Sequence, residues 1–87
     1  MVRETVVINN ASGLHARPAS NFVATAKKYE SKFTVRKGDM EFNGKSIVKV
    51  LTAGIVAGTE VELEFDGPDE EAAMAEMLAA IEAGLGE

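Results

Sequence analysis

Apolar positions in this chain follow two periods, and the switches between them mark out the elements. Residues 60–66 alternate without a break. Val61, Leu63 and Phe65 share one side and Glu60, Glu62, Glu64 and Asp66 the other, which predicts a half-buried strand. Val2 to Ile8 is rich in Val and Ile and predicts a first strand, with Val2, Glu4, Val6 and Ile8 on one face. Lys32 to Lys37 and Met40 to Phe42 predict two more, with Phe33, Val35, Met40 and Phe42 turned inward. Gly38-Asp39 between them is a hairpin turn with glycine first.

The period lengthens elsewhere. Ala19, Phe22, Val23 and Ala26 form one stripe on a helix from about Ala16 to Lys28. Pro18 fits its first turn, where a missing N–H has no helical acceptor to lose. Ser46 stands as N-cap to a short helix over about Ile47 to Ala53, with Gly54 at its C′ position. Ile47, Val48, Val50 and Leu51 are too many apolar residues for one narrow stripe, so some are expected at the surface as a docking patch. Asp69 is the expected cap of a last helix, about Glu70 to Ala83, with Met74, Met77, Leu78 and Ile81 on its apolar face. The order strand-helix-strand-strand-helix-strand-helix predicts a two-layer α+β domain, 1–87, with one solvated sheet face. Pattern alone leaves the strand order open, a ferredoxin-like arrangement included.

Composition narrows the function classes. There is no cysteine, so disulfide scaffolds and thiolate chemistry are out. No secretory leader is read at the N-terminus, and no apolar run approaches the roughly 20 residues that span a bilayer. The expectation is a cytoplasmic protein with no membrane insertion. The net charge of −5 argues against nucleic-acid binding. The charge is also segregated: residues 1–56 carry all nine cations and four acids, and residues 57–87 carry ten acids and no cation. Arg17, Lys45 and Lys49 are the cations expected near the functional site, where opposite charge on a partner would speed encounter.

The candidate chemistry lies in Gly13-Leu14-His15-Ala16-Arg17-Pro18-Ala19, which holds the single histidine where a loop becomes a helix. A helix start leaves amides unpaired and carries partial positive charge, so it receives anions. Nothing nearby completes a metal site or a Ser–His–acid set. Phosphoryl capture fits what is present: the ring attacks with a free lone pair, and the amides of Ala16 and Arg17 then hold the new anion. The dipole contributes roughly 0.3–1 kcal/mol when exposed and up to about 2 when partly buried, enough to stabilise a phosphoryl group without trapping it. Arg17 adds a permanently charged planar donor set.

That heptapeptide, together with Asn43-Gly44-Lys45-Ser46 and the short apolar helix after it, resembles the HPr family of histidine-containing phosphocarriers of the bacterial sugar phosphotransferase system. The resemblance covers essentially the whole chain. It implies an open-faced βαββαβα sandwich, with antiparallel strand order 1-4-2-3 and three helices on one side. It implies that His15 accepts a phosphoryl group on Nδ1 from phosphorylated enzyme I, whose own donor is phosphoenolpyruvate, and passes it to the IIA components of sugar permeases. Arg17, the amides of Ala16 and Arg17, and Ser12 would bind the phosphate, and Ile47, Val48, Lys49 and Leu51 would dock partners. No cofactor or metal is implied, and the chain is a monomeric carrier, not an enzyme in itself. Likeness to Gram-positive members adds a serine kinase and phosphatase acting on Ser46. Val48-Lys49, however, stands where those members carry Met-Gly, and a lysine there is more like the enteric members. Two alternatives stay open: a regulatory binding module switched by phosphoserine 46, and a carrier in a paralogous nitrogen-related system.

Overall fold

A computed structural model describes residues 1–86. Four strands and three helices follow in the expected order: β1 (Val2–Ile8), α1 (Ala16–Lys27), β2 (Lys32–Lys37), β3 (Met40–Asn43), α2 (Ile47–Thr52), β4 (Thr59–Asp66) and α3 (Glu70–Glu82). The strands form one antiparallel sheet in the order β1-β4-β2-β3. Register runs from Val2↔Phe65 to Ile8↔Thr59 between β1 and β4, from Lys32↔Asp66 to Arg36↔Glu62 between β2 and β4, and from Thr34↔Asn43 to Lys37↔Met40 between β2 and β3.

β4, the most regular alternation in the sequence, takes a central place. Its Val61, Leu63 and Phe65 are buried together with Phe33 and Val35 of β2 beneath Phe22 and Ala26 of α1 and Met77 of α3. The Phe33 and Phe65 rings stack across the ladder at 4.2 Å, and Phe22 meets Phe33 at 5.4 Å, contacts beyond simple area burial. The other sheet face is charged. Arg36 donates to Glu41 at 2.7 Å, Glu62 at 2.9 Å and Glu64 at 2.8 Å, and Arg3 donates to Glu64 at 2.8 Å. Covered by two guanidiniums, Glu64 is buried on the solvent side of the sheet. Its carboxyl is held below the usual range, first by the Arg36 hydrogen bond.

At the β1 edge Glu4 shares the helix-facing side with the buried Leu63, yet it remains exposed. An inward-pointing charge on an edge strand works against pairing with another chain. Met40, expected inward, does share a face with Phe42, but it is 45% exposed because β3 is the opposite edge of the sheet.

One cap differs from expectation. Asp69 occupies the N-cap position of α3 but its side chain caps nothing there. The carboxylate reaches instead across the molecule, accepting from Glu30 N at 2.8 Å, Ser31 N at 2.9 Å and the Ser31 hydroxyl. α3 ends in a Schellman turn: Gly84 N donates to Ile81 O and Leu85 N to Ala80 O, each at 3.0 Å, and Leu85 is buried. Asn21 of α1 donates to Leu85 O at 2.8 Å, strapping the C-terminal segment against α1. Among the described residues no helix is long and apolar enough to cross a membrane.

Candidate functional site

His15 is the N-cap residue of α1, with extended torsions (φ −141°, ψ 151°). Its side chain makes no capping hydrogen bond and is exposed, so the imidazole is not consumed by the helix it precedes. The loop that presents it is tightly held. Gly13 N donates to Asn10 O at 2.9 Å, and Asn10 Nδ2 donates back to Gly13 O at 2.6 Å. Leu14 is buried and its N–H donates to Ile55 O at 2.8 Å. Gly13 has φ +62° and lies so close to the 55–56 backbone that a Cβ there would fall 2.7 Å from Val56 Cα. Two independent reasons therefore require glycine, and the residue two places on inherits a defined position.

Ala16, the first residue of α1, departs from the regular helix expected there: its φ is +51°. A left-handed alanine costs about 1 kcal/mol or more, so the backbone at this helix start is strained. Arg17 is exposed, and its Cδ lies beside Gly86, where an added Cβ would stand 3.5 Å away. The C-terminal strap thus borders the arginine. Ser12 is exposed in the loop before His15.

The cations sort into three groups, a result that charge counting did not reveal. Arg3, Lys28 and Arg36 are paired with acids. Lys37 and Lys45 cap carbonyls, Lys37 Nζ at 2.9 Å from Ala53 O and 3.1 Å from Gly54 O, and Lys45 Nζ at 2.7 Å from Tyr29 O. Arg17, Lys27, Lys32 and Lys49 form no ion pair among the described residues. Lys45 is therefore not near His15 as expected. It sits past the far end of α1, a helix of 12 residues and hence about 18 Å long. Lys49 is exposed on α2.

Ser46 caps α2 as expected, its Oγ accepting from Lys49 N at 3.3 Å. On that helix Val50 is buried, while Val48 is 64% exposed and Ile47 and Leu51 are also at the surface. Val56 is 65% exposed beside the His15 loop, and sequence reading did not single it out. Asn10, Asn21 and Leu85 also escaped it. For Leu85 a signal existed, the Gly84-Leu85-Gly86 spacing of a helix C-cap. No group of three or more His, Cys, Asp or Glu able to hold a metal ion occurs among the described residues.

Residues 2–83 match the family model described as the PTS HPr component phosphorylation site. The chain belongs to the HPr family of the phosphotransferase system. Among relatives of the HPr family, the phosphocarrier protein HPr of Neisseria meningitidis serogroup A is 39% identical over all of this chain and 98% of its own length. A multiphosphoryl transfer protein of Vibrio cholerae is 43% identical over 95% of this chain, which spans only 22% of that larger protein. A solved structure of HPr-C-His from Thermoanaerobacter tengcongensis superposes with a TM-score of 0.97 at 41% identity, covering 100% of this chain and 98% of the other. HPr-family membership makes this chain a phosphocarrier, with the antiparallel 1-4-2-3 sheet that the resemblance implied.

Proposed function

We propose that this phosphocarrier takes a phosphoryl group onto His15 from phosphorylated enzyme I and delivers it to IIA components during phosphoenolpyruvate-dependent sugar uptake. The observation that carries the reading is an imidazole at a helix N-cap that is exposed and unused as a cap. In the uptake step the lone pair of His15 Nδ1 forms a bond to phosphorus. The bond from phosphorus to the donor breaks, and the donor keeps that electron pair. Delivery runs the same exchange in reverse against an acceptor. The work is positioning and charge stabilisation, with no cofactor of the chain's own. The amides of Ala16 and Arg17, the Arg17 guanidinium and Ser12 receive the phosphoryl oxygens. Ile47, Val48, Lys49 and Leu51 dock the partner. The chain acts as a single 1–87 domain in the cytoplasm, as a monomer, to which the inward charge of Glu4 on the β1 edge contributes.

The test is direct. With enzyme I and phosphoenolpyruvate, the wild-type chain takes up acid-labile phosphate. His15→Ala takes up none while keeping its circular dichroism and melting behaviour. Uptake by that variant at the wild-type level refutes the assignment.

The geometry at Ser46 favours a second, regulatory reading. A phosphate on this half-buried hydroxyl would set a dianion at the start of α2, one residue from exposed Ile47 and two from Val48. It would repel an acidic partner from the docking face. Control of partner binding by a kinase and phosphatase at Ser46 that persists in His15→Ala would identify a regulatory module. Loss of phosphotransfer in that same variant identifies the carrier. Which branch the carrier serves, sugar or nitrogen-related, is decided by which IIA component accepts the group.

A further inference from the structure

Large apolar side chains exposed among the described residues are Met1, Val7, Met40, Ile47, Val48, Leu51 and Val56. Five of these seven gather at one end of the molecule. Met40 stands opposite Lys37 in the β2–β3 ladder, on the helix-facing side of the sheet. Lys37 Nζ is hydrogen-bonded to Ala53 O and Gly54 O at the end of α2. The next residue, Ile55, accepts from Leu14 N at 2.8 Å, one residue before His15. This run of contacts joins Met40, the end of α2 and the His15 loop. Met40 does little for the core: Phe42, two residues on along the same face, already closes that edge.

We propose that Met40 is a docking residue that carries the apolar face of α2 across the open edge of the sheet. The inference rests on the phosphocarrier reading above. Its occupant is an apolar cleft with a carboxylate rim on the protein that phosphorylates His15. Charge sets the direction of that rim. Arg17 and Lys49 have no ion-pair partner among the described residues and lie on α1 and α2. At the Met40 corner Glu41 is spent on Arg36 across the sheet, and Asp39 remains in the turn. The face is thus basic toward His15 and apolar and close to neutral toward Met40, where Lys37, tied to the carbonyls of α2 but still charged, stands beside Asp39, a polarity that lets a partner dock one way round. An unbranched thioether also suits a carrier that must fit a donor and several acceptors with one surface.

The experiment is steady-state phosphorylation by purified enzyme I and phosphoenolpyruvate, with Met40→Gln, Met40→Leu, Val48→Gln and Val7→Gln as substrates. Val7 is exposed on the opposite sheet face and serves as control. Met40→Gln raises KM roughly three- to tenfold with kcat unchanged, Met40→Leu restores it, and Val7→Gln has no effect. If Met40→Gln stays within about twofold of wild type while Val48→Gln raises KM, the docking face ends at α2 and the proposal fails alone. If neither variant changes KM, docking through α2 fails and the proposal with it. Phosphate uptake by His15→Ala would remove the carrier reading on separate grounds.

Discussion

Replacing Gly13 by alanine tests how the site is positioned, because the substitution acts two residues from His15 and touches no substrate. Gly13 has φ +62°, where an L side chain costs about 1 kcal/mol or more. Its new Cβ would stand 2.7 Å from Val56 Cα, a backbone atom with no rotamer to yield. Restoring contact distance requires the 13–15 loop and the 55–56 segment to separate by about 1 Å, and carbon pairs rest near 3.5–4.0 Å. That movement breaks the Leu14 N to Ile55 O hydrogen bond, worth about 1 kcal/mol net, and loosens buried Leu14. The sum is about 2–4 kcal/mol, or a fall in melting temperature of roughly 10–25 °C for a domain of this size. Displacing His15 by about 1 Å should also slow phosphoryl uptake on the order of 10- to 100-fold at temperatures where the variant is folded. Gly38→Ala is the matched control. Its φ is +56° and a Cβ there meets nothing within 4 Å, so it should lose about 1 kcal/mol and transfer phosphate normally. Urea unfolding and single-turnover phosphorylation of both variants provide the measurement. Equal stability losses, or an unaltered transfer rate in Gly13→Ala, would overturn the claim that the 55–56 backbone positions the histidine.

Two other expectations concern stability alone. Gly44→Ala would drive a Cβ into the Phe33 ring and to 2.9 Å from Val35 Cγ2, pushing Phe33 off its stack on Phe65. We expect a loss of about 1–3 kcal/mol in urea unfolding with normal phosphotransfer once folded. A loss below about 0.5 kcal/mol would show that the ring has room to turn. Asp69 is held below its usual range by the Ser31 hydroxyl, then by the amides of Glu30 and Ser31. A lowered native pKa means stability that is present above the unfolded value and is lost as pH falls through the native one. Wild type should weaken below about pH 4, and Asp69→Asn should start weaker at neutral pH with a shallower acid decline. Identical acid limbs in the two proteins would assign the decline to Glu64, Glu70 and Glu76, whose carboxyls are held down in the same direction.

The site was legible where chemistry depends on near neighbours. His15 at a helix start, Ser46 as a cap and the surplus of apolar side chains on α2 were all readable within a turn or two of chain. Its surroundings were not. Asp69 passes over its own helix to bind Ser31, 38 positions away in sequence. Lys45 points to the end of α1, 16 positions away, and not to the histidine. The buried Leu85 and the exposed Val56 become neighbours of the site only when the C-terminal strap closes on α1 and the 55–56 segment closes on the Gly13-Leu14 loop.

Periodicity, capping residues and glycine turns were enough to define seven elements and their inward faces, because each depends on torsions and contacts between residues a few places apart. The strand order did not follow from pattern; family resemblance supplied it, since alternation tells a strand which face is buried and says nothing of which strand lies beside it. The tertiary structure alone decided that Met40 sits on an open edge, that Ala16 begins α1 in a left-handed turn, and which of nine cations stay unpaired. Those outcomes depend on which groups meet after the chain has closed on itself. A lysine that finds a carboxylate or a helix end is lost to a partner, and one that finds neither is left to attract it.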